Sequence, residues 1–302
     1  MVLKTLTDIC NKSQASGQIG KIILDSLVDS SLFSITAVSR KESTATFPPN
    51  VTVRKIDFVE ADLTAAFQGQ DVVISVVGIG GLGEQKKLVD AVVRAGVKRF
   101  FPSEFSASTE DSGVRQLLPP AVQKTELLEY LKAKEADGLT WTGIASSLLF
   151  DWCLRNGFLE FDIAKRTATV WDGGDKKFTL STEKQLGQAV VSALQHPQET
   201  SNQYMYIASF ETSQKEILAV LEEETGAEWK VTETTTDEQV AEGLKKIGAG
   251  DFRGAYPLVR ATSFGNSPGL QSNYVKDQKL ANDVLGLQLE NIRDIVKQFL
   301  NE

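Results

Sequence analysis

Basic charge is in short supply in this 302-residue chain: 32 Lys and Arg stand against 40 Asp and Glu, a formal charge of -8. Such a balance repels phosphate backbones and anionic lipid, so neither nucleic acid nor a membrane is expected as a partner. Cysteine is scarce too. Cys10 and Cys153 lie far apart with no paired spacing, which excludes a disulfide framework and fits reduced thiols. The one histidine, His196, precedes Pro197 at an expected helix end, where it caps or is solvated; no Ser-His-Asp set and no metal site can be assembled around it. No run of about 20 apolar residues occurs, nor a charged, apolar, small-residue leader. Neither a transmembrane segment nor a signal peptide is therefore expected, and cytoplasmic residence is the default. What remains is an ordinary globular composition, 41% hydrophobic and 24% charged, enough for one large core or two moderate ones.

From Gly17 to about Ile144, short β-rich runs alternate with helical patterns, the rhythm that yields right-handed βαβ units and a parallel sheet. Strands are expected at 34–39, 51–56, 71–77, 98–101 and 139–144, and helices at 20–28, 63–67, 85–95 and 121–136. The run DVVISVV, 71–77, is almost continuously apolar, as a central parallel strand is when helices cover both its faces. After Ile144 the rhythm loosens into short strands (168–171, 177–180, 204–208) and helices (182–194, 214–224, 237–247, 289–300). Residues 248–272 show no period and read as a long binding loop. The expectation is an α/β chain, with a doubly wound parallel sheet in residues 1–146 and a smaller α+β substrate lid in 147–302.

In a doubly wound dinucleotide-binding (Rossmann) sheet, the first strand feeds a glycine turn whose backbone approaches the pyrophosphate, and the next helix points its N-terminus at the negative charge. Here the candidate turn is Gln14-Ala-Ser-Gly17-Gln18-Ile19-Gly20, opening a helix with an apolar stripe of Ile22, Ile23 and Leu27; Gln14 stands where the first glycine would be. The preceding LTDICNKS carries Asp8, Asn11 and Lys12, which a buried central strand would not bear. Either that strand is distorted or missing, or the first fourteen residues come from a faulty gene model. A second glycine set, Gly78-Ile-Gly80-Gly81-Leu-Gly83, follows a strand and opens a helix, with Glu104 as a distal acid. It reads as a complete dinucleotide fingerprint or as the turn after the fourth strand, lined by glycine because a ligand passes; the units upstream favour the second. About twenty residues after the first turn, no acid ends the second strand, and Arg40 and Lys41 stand there instead. They fit the 2′-phosphate of NADP rather than the ribose of NAD, unless they form only a solvated basic turn.

The runs DVVISVVG (71–78), VKRFFPSEF (97–105) and AVQKTELLEYLKAKEADGLTWTGIASSLLFDW (121–152) resemble the isoflavone-reductase-like branch of the NmrA-like, atypical short-chain dehydrogenases, and the likeness covers roughly residues 15–302. The resemblance implies NADPH-dependent reduction of a small, often aromatic, metabolite, with the family's active-site lysine falling on Lys124. It also admits nucleotide-sensing regulators without turnover, a reading that Gln14 and the polar first strand favour. Helical geometry independently points Lys124 inward, since Leu128 and Leu131 share its direction and Ala121 and Leu127 flank it. Burial there would lower its pKa and suit acid–base work or contact with a cofactor hydroxyl; alternatively the side chain snorkels. The same helix spells the Tyr-x-x-x-Lys pair of ordinary short-chain dehydrogenases at Tyr130 and Lys134, on the flank of the stripe. Phe150, Asp151 and Trp152, at the carboxyl end of the strand 139–144, line a substrate pocket or pack in the core. The expected site thus has Gly17, Gln18, Ile19 and Gly20 at the pyrophosphate, Arg40 and Lys41 at the 2′-phosphate, Gly78 and Gly80 along the adenosine–nicotinamide side, Lys124 at the chemistry, and no metal.

Overall fold

The apolar run after Asp71 forms a strand, Val72–Ile74, that is buried along its whole length and sits near the middle of a seven-stranded sheet. A computed structural model describes the chain at residues 3–7, by their backbone, and at 16–301. Strands β1 (Leu3–Thr7), β2 (Phe33–Arg40), β3 (Thr52–Ile56), β4 (Val72–Ile74), β5 (Arg99–Phe101) and β6 (Thr140–Ala145), with Gln203–Tyr206 at one edge, lie in the order Gln203–Tyr206, β6, β5, β4, β1, β2, β3. The pairings from β6 through to β3 are parallel. Helices α1 (Ser16–Ser30), α2 (Glu60–Phe67) and α3 (Gln85–Arg94), then the helix Pro119–Lys134, make the crossovers. Strand order reverses between β1 and β4, where doubly wound sheets bind ligands at their carboxyl ends.

β1 is regular. Its five residues pair with Phe33–Ala37, and Thr5–Thr7 pair on the other side with Val72–Ile74. This corrects the expectation of a distorted or missing first strand: the strand is LKTLT, upstream of the polar stretch, so the central sheet position carries none of the charges at issue. Asp8, Cys10, Asn11, Lys12 and Gln14 lie outside the described residues.

The core of this unit gathers Leu63 and Phe67 of α2, Leu88 and Val92 of α3, Phe100 of β5, and Leu128 and Leu131 of the Pro119–Lys134 helix. The i, i+3, i+4 spacing on each helix is what turns these side chains to the sheet. A later helix, Glu183–Gln195, reaches α1 through Gly187; a Cβ there would stand 1.8 Å from the Ser26 hydroxyl, so that approach requires glycine.

Chain contacts divide the protein into one unit of residues up to Phe105, Pro120–Ile144 and Leu186–Met205, and another of Ser106–Pro119, Ala145–Gln185 and residues from Tyr206 on. The single cut expected between 146 and 147 falls close to one of these boundaries, but two segments cross it. The physical reason is the strand Gln203–Tyr206, which adds itself to the sheet beside β6 and brings its preceding helix along. The second unit holds two three-stranded sheets of mixed direction, Phe210–Thr212 with Phe178–Ser181 and Leu148–Leu149, and Lys230–Thr234 with Thr167–Trp171 and Phe161–Asp162. They share a core with Phe150, Trp171, Phe178 and Phe264. Segment 248–272 is not a plain loop, because it contains the helix Ala255–Phe264. That helix buries Ala261, Thr262 and Ser263 beside Leu258 and Phe264, and the small and hydroxyl residues on its inner face hide the apolar period. Among the described residues no helix is long and apolar enough to cross a membrane.

Candidate active site

The cofactor residues expected in the first unit fall along the carboxyl edge of the parallel sheet. Gly17, Gln18, Ile19 and Gly20 form the opening turns of α1, where backbone N–H groups lack partners within the helix and the helix dipole is positive. Among the described residues a Cβ at Gly17 would meet nothing within 4 Å, while Gly20 is buried. Arg40 closes β2 with its guanidinium 5.0 Å over the Phe58 ring and its Nε without a hydrogen-bond partner. Lys41 is exposed and ion-paired with Asp57, whose hydrogen bond raises the lysine's pKa. Of the two cations expected at a 2′-phosphate, Arg40 has a buried Nε without a hydrogen bond, and Lys41 already holds a carboxylate.

Gly78 and Gly80 lie on the turn after β4, which winds through Ile79–Glu84 into α3. With β1 in place, this glycine set belongs to the fourth strand rather than the first, as the sequence rhythm favoured. Sequence reading passed over two hydroxyls. Ser39, penultimate in β2, and Ser75, just past β4, are fully buried with no hydrogen-bond partner, and they flank the position of β1. A buried hydroxyl left so costs about 1–3 kcal/mol, which a polar ligand at this edge would relieve. The signal was present: Ser75 is the lone polar residue of VVISVV.

Lys124 is half-buried on the Pro119–Lys134 helix, among Ala121, Leu127, Leu128 and Leu131, as its stripe predicts. Its Nζ donates to the main-chain carbonyl of Glu104 at 3.0 Å. Burial lowers its pKa and the negative charge of Glu104 works the other way. Glu104 follows β5 in a loop fixed to its neighbour: the Ser103 N–H donates to Gln85 Oε1 at 3.0 Å and the Ser103 hydroxyl to the Val77 carbonyl at 2.7 Å. The Glu104 carboxylate is 1% exposed and accepts the Tyr204 hydroxyl at 3.0 Å. Tyr130 and Lys134 do not join this group. The Tyr130 hydroxyl donates to Asp90, which raises the phenol's pKa, and Lys134 pairs with Asp137 at 3.2 Å. A proton-donating tyrosine needs the opposite shift.

Phe150, Asp151 and Trp152 belong to the second unit. Phe150 has no exposed surface and packs edge-on against Phe210, with centroids 5.2 Å apart, which is the core alternative weighed for it. Asp151 accepts the N–H groups of Trp152 and Glu183 at 3.0 Å, capping the helix Glu183–Gln195, and burial pushes its pKa up to about 6. Trp152, half-buried against Phe158, keeps some surface. His196 Nδ1 sits 2.9 Å from the Ser192 carbonyl at a helix end.

The NmrA-like family matches residues 13–262 of the chain. Oxidoreductase aprR of Aspergillus flavus is 34% identical over 289 residues, 95% of this chain and 96% of that protein. Oxidoreductase poxI of Penicillium oxalicum is 32% identical over 291 residues, 95% and 92% of the two. Among solved structures, the binary complex of leucoanthocyanidin reductase with NADPH from Vitis vinifera superposes with a TM-score of 0.77 at 16% identity, covering 99% of this chain and 100% of that one.

Proposed function

The chain belongs to the NmrA-like family, and from that membership we propose that it is an NADPH-dependent reductase of a small aromatic secondary metabolite, acting in the cytoplasm without nucleic acid. One observation carries the reading. Along a single sheet edge stand the N-terminal end of α1 at Gly17, two buried hydroxyls and an arginine Nε without hydrogen bonds, and a half-buried lysine. The first three fit a dinucleotide phosphate and ribose. The backbone of Gly17, Gln18, Ile19 and Gly20 would hold the pyrophosphate, Arg40 the 2′-phosphate, and Gly78 and Gly80 would let the ligand pass close to the main chain. Bound NADPH supplies hydride to an electrophilic carbon. Lys124 holds the proton that the reduced substrate needs, and its apolar surroundings keep water from competing.

Titration with NADPH and with NADH, followed by nicotinamide fluorescence at fixed salt, tests the cofactor half. NADPH is expected to bind at least about tenfold more tightly, and Arg40→Ala to remove that preference. A preference for NADH, or no binding of either, overturns it. Turnover with a panel of aromatic acceptors tests the chemistry. NADPH bound tightly and never consumed would leave the nucleotide-sensing regulator as the reading.

A further inference from the structure

Glu104 does two things at once. Its carbonyl receives the Lys124 ammonium, and its carboxylate, almost without exposure, is tied to Tyr204 from a strand one hundred residues later in the chain. Burying a carboxylate is expensive unless something compensates the charge, and the Tyr204 hydroxyl is one partner that does so. Room for that phenol is made elsewhere. A Cβ at Gly143, on β6, would stand 2.8 Å from the Tyr204 ring and 3.5 Å from Glu104 Cγ, so three separate elements are shaped around this one carboxylate. Glu104 supplies charge that raises the proton affinity of Lys124 against burial, and Tyr204 donates to that carboxylate.

Building on the reading of Lys124 as the proton-transferring group, we propose that Glu104 is its positioning residue: the carbonyl fixes where the ammonium sits, and the carboxylate, tethered by Tyr204, stands behind it as a counter-charge, so that Lys124 acts as a proton donor. As the substrate carbon accepts hydride from NADPH, an Nζ–H bond breaks and its proton passes to the substrate atom that has gained the electron pair. The neutral amine then takes a proton from water. Glu104 itself neither gives nor takes the transferred proton. Tyr204 acts one step further out, by holding the carboxylate.

The test reads Lys124 directly and needs no turnover. With isotopically labelled lysine, the side-chain 13Cε and 15Nζ shifts are followed against pH in the wild-type protein, and the Lys124 signal is assigned by its loss in Lys124→Arg. Glu104→Gln preserves the carbonyl and an acceptor for Tyr204, and it should lower the Lys124 midpoint by about one pH unit or more. Tyr204→Phe should lower it by less. An unmoved midpoint in Glu104→Gln, with the amide spectrum unchanged, overturns the proposal. If that variant does not fold, Tyr204→Phe decides: a lowered midpoint supports the tether and an unmoved one overturns it. Where the wild type turns over, the alkaline limb of kcat should fall in step with the midpoint while the KM for NADPH holds. A merely structural Glu104 would scale kcat without displacing that limb. Failure to find any acceptor would count against the reductase reading, whereas the lysine midpoint would still decide the role of Glu104.

Discussion

Each unit buries a lysine against a main-chain carbonyl, and the two lysines have different company. Lys124 donates to Glu104 in the first unit and Lys176 to Gly265 in the second. Burial lowers both pKa values, that of Lys176 to about 8, with Asp111, Asp172 and Asp277 opposing the shift. The main chain of the segment Lys176 holds is fastened at three further points. Asn266 N–H donates to the Thr236 hydroxyl at 2.8 Å, Gln271 N–H to Asp111 Oδ2 at 2.6 Å, and the Ser272 carbonyl accepts Thr179 N–H at 2.8 Å. Lys176 is one clasp on a strapped loop. The carbonyl that receives Lys124 instead lies at a sheet edge where hydroxyls and a guanidinium nitrogen remain unmatched. Buried hydroxyls without a hydrogen bond also occur beside Lys176, at Ser263 and Ser272, so the two lysines differ instead in the main chain they reach: the Lys176 segment is already tied down by its own backbone, whereas Lys124 stands at the carboxyl edge of the parallel sheet, where ligands bind.

The largest expected effect separates the two lysines by activity. Lys124→Met should cut kcat by about 10²- to 10⁴-fold, the usual share of a general acid, and leave the Kd for NADPH within about threefold. Lys176→Met should leave kcat within about twofold, because its contacts serve the loop. Equal losses in steady-state assays of the two variants would break the comparison.

Next comes stability. The folded pKa of Lys176 lies below its unfolded value of 10.5, so the native state releases this proton first, and stability is lost as pH falls through about 8. Denaturation at pH 7 and pH 10 should show wild type gaining relative to Lys176→Met by at most about 3 kcal/mol as pH rises. Lys124→Met should show the same sign. Asp151 has the opposite behaviour. Its folded pKa, about 6 against an ordinary 3.8, means that stability falls as pH rises between these values. Asp151→Asn, which keeps one acceptor for the Glu183 N–H, should flatten that fall, worth about 2 kcal/mol in urea titrations at pH 4.5 and 7. An unchanged slope would show that the cap stays solvated.

The parallel sheet is legible because its central strands must be apolar on both faces, as DVVISVV is, and a helix that covers it needs one apolar stripe, as the Lys124 helix has. β1 is hard to place from the sequence because polar residues stand nearest the glycine turn, while the strand itself is the modest LKTLT upstream of them. The helix Ala255–Phe264 was missed for want of apolar period. Phe150 and Asp151 were assigned by position alone, and their packing and capping depend on Phe210 and Glu183, distant in sequence. Glu104, Tyr204 and Gly143 could not be joined in advance, since only the folded sheet brings them together.

The smallest expected effect concerns the other end of the Lys124 helix, where Tyr130 and Lys134 have the spacing of a catalytic pair without its surroundings. The Tyr130 hydroxyl serves Asp90 on α3, and that bond holds its proton more firmly. Tyr130→Phe should therefore cost about 1 kcal/mol of stability for the lost hydrogen bond and change kcat by less than about twofold. A fall in kcat of a hundredfold or more, about what loss of a general acid produces, would move the chemistry from Lys124 to this pair. Spacing along a helix selects which residues share a face, and the partners across that face decide what they do.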